Sequence, residues 1–113
     1  MIKKAFLIGL MSEKKYEIPI GEFVIGRSFE GSAANIQINE VGKERISRIH
    51  CRIYNDGSKL EVEDLNSMNG TYINEKEITA GEKFPLKNKD MLGLGSCDLE
   101  VRIVEENSDV GVN

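Results

Sequence analysis

Hydrogen-bonding side chains are concentrated in one short stretch of the chain, residues 64–74. Asn69 is followed there by Gly70, and the pair predicts a turn because both residues tolerate a positive φ angle. A simple turn needs one polar side chain, whereas this one has four within six residues. These are Asn66, Ser67, Asn69 and Thr71. Since loops held by a rigid scaffold often carry function, the surplus predicts a binding loop.

Positive charge is concentrated just before that stretch. Four of the five arginines lie between positions 27 and 52, and residues 41–52 contain four basic side chains against the single acid Glu44. The basic residues of this region are Arg27, Lys43, Arg45, Arg48 and Arg52. The whole chain has a net charge of -4, so a local basic site suits a discrete anionic ligand. A solvated charged face is the alternative that the charge pattern alone leaves open.

Other kinds of chemistry lack the residues that they need. His50 is the only histidine, and no nucleophile motif surrounds it, so we predict that the protein is not an enzyme. Gly93 and Gly95 lack the third glycine and the following helix of a dinucleotide site. No metal-ligand spacing is present, and we predict neither a metal nor a cofactor. The net charge argues against nucleic acid and membranes as partners, because both favour a basic surface.

Apolar residues recur at every second position in nearly every segment, which indicates half-buried strands. No segment has helical periodicity over ten residues or more. The sequence therefore predicts an all-β fold, a two-sheet antiparallel β-sandwich of about eleven short strands. Cys51 alternates with Ile49 and Ile53, and Cys97 lies in a similar pattern, so both thiols are predicted to face the core. Buried free thiols are the preferred interpretation over a disulfide.

The 113 residues are enough for one domain with its own core. Alternation is lost after position 104, so we predict a domain of residues 1–104 and a polar tail or linker at 105–113. The short apolar run at the N-terminus lacks a small-residue cleavage site and is interpreted as the first strand. Nothing reaches transmembrane length, and we expect an intracellular, cytoplasmic protein.

Two segments, residues 27–35 and 39–46, lack the strand pattern and are predicted to be loops. In a sandwich, alternate connections lie at the same end. The loops that follow Arg27, precede Ser47 and surround Asn69 can therefore meet at one apex.

Four motifs, in order along the chain, carry a resemblance to a known family. Gly26-Arg27 closes an apolar strand, and Ser47-Arg48-Ile49-His50 opens another. The third motif is the stretch at 64–74, and the fourth is the late strand of residues 90–95. Together they resemble the forkhead-associated (FHA) domain, over roughly residues 16–104. The resemblance implies that the loops do meet at one apex and bind phosphothreonine in partner proteins.

The resemblance also implies a role for each polar residue of the site. Arg27 would contact the phosphate through its fork of donors, and Ser47 would donate its hydroxyl proton to a phosphate oxygen. Arg48 occupies the family's second phosphate position, where arginine is an accepted variant. Asn69 would hold the peptide main chain, because an amide both donates and accepts. Arg45 would tune the preference for the residue three after the phosphothreonine, with an acidic residue expected there.

Ser67 and Met68 complete the implied phosphopeptide-binding set. Met68 is a departure, since relatives often carry a hydroxyl residue there that contacts the phosphate. The segment between Arg27 and Ser47 is also longer than is common in the family, which bears on the subsite beside Arg45.

A second group of residues is implied to support the site without touching the ligand. The resemblance makes His50 a brace between the binding loops, while Gly70 supplies a positive φ angle. Asp64 would tie the backbone of the loop. The full supporting set is Gly26, His50, Asp64, Gly70 and Thr71.

These expectations lead to a phosphothreonine-dependent protein-interaction module in Ser/Thr kinase signalling. Its partner would be a phosphothreonine-containing protein or peptide, either a Ser/Thr kinase or a substrate of one. The alternative is a scaffold or oligomerisation domain that uses the FHA fold without reading phosphate. The presence of Arg27, Ser47 and Asn69 favours the first interpretation, because a degenerate site would tend to lose them.

Overall fold

The computed structural model describes residues 1–106, which form eleven strands and one three-residue 3-10 helix, Lys43–Arg45. The strands are β1 (Ile2–Gly9), β2 (Lys15–Glu17), β3 (Gly21–Arg27), β4 (Ile36–Ile38), β5 (Cys51–Asn55), β6 (Leu60–Asp64), β7 (Thr71–Ile73), β8 (Lys76–Glu77), β9 (Lys83–Leu86), β10 (Met91–Leu94) and β11 (Cys97–Glu105). The predicted all-β sandwich is thus confirmed. Within the described residues, no helix is long and apolar enough to cross a membrane.

The strands form two sheets, with the orders β2-β1-β11-β10-β7-β8 and β4-β3-β5-β6-β9. Pairing is antiparallel except between β3 and β4, where Ile25 lies opposite Ile36 and Arg27 opposite Ile38. Because β4 runs parallel to β3, the chain leaves β4 at the end of the sheet where Arg27 lies. β5 begins at that same end, with Cys51 opposite Ile25. The long loop between β4 and β5 therefore starts and finishes beside Arg27.

The core lies between the two sheets and follows the period-two pattern of the strands. In β5 and β6, for example, every second residue is buried, including Ile53 and its cross-strand partner Val62. A buried Val, Leu or Ile side chain contributes about 1.5–3 kcal/mol, so such strand pairs supply much of the stability. Cys51 and Cys97 are both buried free thiols, as predicted. Burial is the largest cause that raises the pKa of each thiol.

The period-two pattern of β5 does not extend back to Ile49. Its side chain is 41% exposed, whereas His50 and Cys51 are both buried. The reason is that β5 begins only at Cys51. The irregular backbone just before the strand turns His50 inward, so the alternation does not extend back to Ile49.

Five connections lie at the apex, two more than the sequence predicted. The additional ones are the β1–β2 turn at residues 10–14 and the β10–β11 turn at residues 95–96. Gly9, at the end of β1, pairs with Leu99 near the start of β11, so both turns lie at that end of the six-stranded sheet. The predicted tail begins inside β11, which ends at Glu105. Residues 107–113 lie outside the described residues, and their assignment as a tail stays a prediction.

Candidate functional site

The loop at residues 65–70 passes from one sheet to the other. It leaves β6 in the five-stranded sheet and enters β7 in the six-stranded sheet, so it is a crossing connection and not a hairpin. Gly70 has a φ angle of 88°, as its role in a turn requires. The other residue with positive φ is Asn66 at 59°, and not Asn69. The side chain of Asn69 is instead held by hydrogen bonds to Arg45 in the β4–β5 loop.

Asp64 holds the crossing loop from inside. Its carboxylate is buried and accepts hydrogen bonds from the Ser67 hydroxyl at 2.5 Å, the Thr71 hydroxyl at 2.6 Å and the Ser67 N–H at 3.2 Å. Buried carboxylates are costly unless their oxygens are paired in this way. The Ser67 oxygen also accepts from the Gly70 N–H at 3.0 Å. The Asp64 carboxylate therefore connects Ser67 in the middle of the loop with Thr71 at the start of β7.

These contacts bear on the predicted ligand role of Ser67. A serine hydroxyl has one proton, and that of Ser67 is donated to Asp64. In this geometry it has no proton to offer to a phosphate oxygen. The arrangement favours a supporting role for Ser67, alongside Asp64 and Thr71.

Ser47 has the opposite arrangement. Its hydroxyl oxygen accepts a hydrogen bond from the Met68 N–H at 2.9 Å, which joins the loop before β5 to the crossing loop. Among residues 1–106, its own hydroxyl proton has no acceptor. Ser47 is therefore fixed in position while its proton remains available to a ligand. Only the backbone of Met68 contacts Ser47 in this way, since the Met68 side chain is 86% exposed.

His50 joins the same two loops from a buried position beneath them. Its Nδ1 accepts a hydrogen bond from the Ser47 N–H at 3.0 Å, and its Nε2 lies 2.9 Å from the Gly70 carbonyl oxygen. Because Nδ1 accepts, the proton must be on Nε2, and the ring is neutral. The side chain is fully buried, and burial lowers the pKa of His50 from its ordinary value of 6.5.

Gly26 allows strand β3 to approach the segment before β5. A Cβ atom on Gly26 would lie 1.8 Å from the carbonyl oxygen of Arg48, which is far too close for two non-bonded atoms. The neighbouring backbone contacts need this approach, since the Arg27 N–H donates to the Ser47 carbonyl at 3.0 Å and the His50 N–H to that of Ile25 at 2.9 Å. Gly26 thereby places Arg27 beside Ser47.

The Arg27 guanidinium lies over the loop between β4 and β5. Its Nη1 donates to the Ile46 carbonyl at 3.1 Å and, more weakly, to that of Glu44 at 3.4 Å. The remaining N–H groups of the fork have no acceptor within residues 1–106. One face of the site is therefore a fixed guanidinium with unused donors.

An aromatic residue that the sequence analysis missed lies between two of the arginines. The Phe29 ring has its centroid 5.6 Å from the Arg27 guanidinium carbon and 5.5 Å from that of Arg48. Both distances are within the range of a cation–π contact. The available signal was a single Phe in a loop otherwise made of small and polar residues. Phe29 orients the two side chains without neutralising either charge.

Arg45 and Asn69 are paired across the apex. The Asn69 amide donates to the Arg45 carbonyl at 2.9 Å, and the Arg45 guanidinium donates to the Asn69 side-chain oxygen at 3.4 Å. One amide proton and one oxygen lone pair of Asn69 remain for a ligand. The two predicted recognition residues therefore form one unit.

The arginines at the apex have no carboxylate partners among residues 1–106. Three ion pairs occur among the described residues, and none involves Arg27, Arg45 or Arg48. Arg45 and Arg48 are exposed, and Arg27 is partly exposed. Cations held without counter-charges favour an anionic ligand that approaches from solvent.

Comparisons with known proteins agree with this geometry. A sequence model of the family described as the FHA domain matches residues 23–95. Protein FraH from Nostoc sp. (strain PCC 7120) is 31% identical over 98 residues, and the FHA domain-containing protein FhaA from Mycobacterium tuberculosis is 32% identical over 92 residues. The alignments cover 84% and 81% of this chain, but only 34% of FraH and 16% of FhaA. The chain thus spans a minor part of both relatives.

Solved structures of FHA domains also superpose on this chain. One structure, from a structural and functional analysis of phosphothreonine-dependent FHA domain interactions, superposes with a TM-score of 0.78 at 28% identity, covering 92% of this chain and 100% of the other. The FhaA FHA domain complexed with the intracellular domain of Rv3910 superposes with a TM-score of 0.71 at 27% identity, covering 88% and 100%.

Proposed function

The chain belongs to the FHA domain family, and from this we propose that it is a phosphothreonine-dependent protein-interaction module. Its partner is a phosphorylated protein of Ser/Thr kinase signalling inside the cell, either a kinase or a substrate of one. In this proposal the domain performs no reaction itself. It recognises a mark that a kinase has placed on another protein.

One observation carries the proposal. The Arg27 guanidinium is fixed by the Ile46 carbonyl and has unused donors, and it lies beside Ser47, whose hydroxyl proton has no acceptor among residues 1–106. A phosphate monoester has a charge of about -1.5 to -2 at neutral pH and three acceptor oxygens. A charged fork and a neutral donor, both held in place before the ligand arrives, are what such a group requires.

The remaining residues either support the phosphate contact or act on other parts of the ligand. Arg48 adds a second positive charge beside Arg27, and Phe29 limits how far either side chain can move. Asn69 offers its free amide proton and lone pair to the peptide main chain next to the phosphothreonine. Arg45 is exposed and attracts an acidic residue further along the peptide.

Threonine is favoured over serine in this proposal because of its extra methyl group. Burial of one methyl contributes about 0.8 kcal/mol, which is roughly a fourfold preference. The β-branched side chain also has fewer rotamers to lose on binding than serine does.

The experiment that tests the proposal measures binding to three matched pools of degenerate peptides. The pools centre on phosphothreonine, phosphoserine or unmodified threonine, and binding is followed by fluorescence anisotropy. We expect clear binding to the phosphothreonine pool only. Equal binding to all three pools, or to none, would refute the phosphate-dependent function and favour a scaffold, which light scattering would then test through self-association.

A substitution at Arg27 tests the site itself. Arg27→Ala should abolish binding to the phosphothreonine pool, because it removes the fixed guanidinium, and it should leave the melting temperature nearly unchanged. Arg102→Ala is the matched control, since Arg102 lies on β11 and pairs with Glu100. The two variants have the same net charge. If Arg27→Ala binds as tightly as Arg102→Ala, then Arg27 is not part of the site.

A further inference from the structure

A second concave surface lies at the same apex and is not used by the phosphate site. It is a groove of about 630 Å³ between the β1–β2 turn, the first part of the β4–β5 loop and the β10–β11 turn. Three large apolar residues line it and remain exposed to solvent. These are Leu10, Met11 and Val41, with exposed fractions of 51%, 87% and 90%. A group of exposed apolar side chains around one concavity is typical of an interaction site.

The walls of the groove are held together by hydrogen bonds. Glu40, in the β4–β5 loop, accepts from the Tyr16 hydroxyl at 2.6 Å and from the Ser12 hydroxyl at 2.8 Å. On the same side, the Lys14 ammonium donates to the Asn39 carbonyl at 2.8 Å. Burial and the bond to Glu40 raise the pKa of Tyr16 to about 12, so its proton stays in this network at neutral pH. The groove is therefore formed before any partner arrives.

The groove is lined by apolar side chains together with polar and charged ones. Cys97 lines the groove and is only 5% exposed. Burial and the nearby Glu40 carboxylate raise the pKa of this thiol, so it stays neutral and behaves as a small apolar surface. Lys14 and Asp98 are charged residues of the same lining. An apolar surface with polar groups around it suits one apolar side chain on a peptide whose main chain stays near water.

The groove lies near the proposed phosphate site, because the β4–β5 loop contributes residues to both. Val41 and Arg45 belong to the same loop, four positions apart, so their Cα atoms are separated by at most roughly 14 Å. An extended peptide advances about 3.3 Å per residue and covers that distance in about four to five residues. The β10–β11 turn makes a second link between the two sites. Its Gly95 N–H donates to the carbonyl of Gly70 in the crossing loop at 2.9 Å, and the next residue, Ser96, lines the groove.

We infer that this groove binds an apolar side chain of the phosphorylated partner itself, from the segment that flanks its phosphothreonine. The inference rests on the proposed function. One partner chain then occupies both sites, with its phosphate at Arg27 and its apolar residue against Met11 and Val41. The arginines attract the charged mark, and the groove distinguishes among the proteins that bear it.

The first experiment identifies the flanking preference. Wild-type protein selects from a phosphothreonine peptide library that is randomised at eight positions on each side, and the retained peptides are sequenced. We expect enrichment of Leu, Ile, Met or Phe at one flanking position or at two adjacent ones. The double variant Met11→Ser/Val41→Ser should retain phosphothreonine peptides but lose that enrichment.

The second experiment measures the contact directly. Two peptides, one with the selected apolar residue and one with Ser in its place, are titrated into the wild type and the double variant. Burial of such a side chain predicts on the order of a tenfold preference in the wild type and little preference in the variant. Ile20→Ser is the matched control, because Ile20 is 68% exposed and does not line the groove. It should keep the wild-type preference.

The outcomes separate this inference from the proposed function. Failure of the wild type to retain any phosphothreonine peptide would overturn both. Retention without apolar enrichment, or with the same enrichment in the double variant, would overturn only the role of the groove. The groove would then serve another occupant, and concentration-dependent association of the wild type that is lost in the double variant would identify a second copy of this chain.

Discussion

The imidazole of His50 uses both of its ring nitrogens to connect two loops. It accepts from the Ser47 N–H and donates to the Gly70 carbonyl, and both contacts require the neutral ring with its proton on Nε2. A second proton would be placed on Nδ1, directly opposite the Ser47 N–H. Protonation therefore breaks the connection and leaves a charge in a fully buried position. The connection that His50 makes between the two loops therefore depends on pH.

This dependence predicts how stability changes with pH. The pKa of His50 is lower in the folded protein than its ordinary value of 6.5, so the unfolded chain binds more protons below that pH. The contribution of His50 to the free energy of unfolding should be complete above about pH 6.5 and should decrease as the pH falls below it. His50→Ala should lower stability by about 2 kcal/mol or more at pH 7.5, because the Ser47 N–H loses its acceptor and the Gly70 carbonyl loses one of its two donors. Urea unfolding from about pH 5 to pH 7.5 measures both effects.

The control for this prediction is Asn55→Ala. Asn55 is also buried and also makes two hydrogen bonds to backbone groups, to the Ile18 carbonyl and the Gly57 N–H, but it does not titrate. The loss in the free energy of unfolding caused by Asn55→Ala should be constant over this pH range. A cost of His50→Ala that is equally constant would contradict the role of protonation.

The connections between strands decide which residues can meet at the apex. The parallel pairing of β4 with β3 brings the chain back to the end of the sheet where Arg27 lies. The loop at residues 65–70 crosses between the sheets and carries Asn69 to Arg45. Gly26 is needed at the point where β3 passes the segment before β5.

Substitution of Gly26 tests this close approach. Gly26→Ala should destabilise the fold by about 3 kcal/mol or more, because its Cβ would overlap the Arg48 carbonyl and force the backbone to move. Thermal unfolding gives the change. Gly31→Ala is the control: Gly31 has a φ angle of 89° but open space around its Cβ, so only a strain of about 1–2 kcal/mol is expected. Equal costs for the two variants would show that β3 can separate from this segment without penalty.

Charge is distributed unevenly over the molecule. The chain has a net charge of -4, yet Arg27, Arg45 and Arg48 lie together at the apex without carboxylate partners among residues 1–106. An anionic group is therefore attracted more strongly to these three arginines than to the rest of the chain, which is acidic on balance. This distribution favours selective association with small anionic marks.

Salt should therefore weaken binding of the phosphothreonine pool. The screening length falls from about 10 Å at 0.1 M to about 3 Å at 1 M salt, so the exposed arginines lose most of their attraction. Affinity measured by anisotropy over this range should fall steadily with NaCl. Arg48→Ala should bind less tightly and with a shallower salt dependence, whereas Arg102→Ala should keep the slope of the wild type. An affinity that does not change with salt would show that shape, and not charge, is recognised.

Much of this arrangement could be predicted from residue order. The period-two pattern identified the strands, and the turn residues and basic residues marked three of the five apical loops. The errors and omissions have a common origin. The alternation of apolar residues continues to Ile49, past the true start of β5, although Ile49 is exposed. Phe29 was missed because its partners, two arginines, are brought to it by folding.

The two serines of the site show where local sequence stops being informative. Both lie in polar motifs and both were predicted to contact the ligand. The alternation of apolar and polar side chains along a strand is a local property, so the sequence was sufficient to identify most of the strands. The partner of a hydroxyl proton depends on which distant segments are brought together. Ser67 lies over the buried Asp64 and donates its hydroxyl hydrogen bond to that carboxylate, whereas Ser47 accepts from the Met68 N–H and its own hydroxyl proton has no acceptor among residues 1–106, because tertiary packing sets the partners of each oxygen.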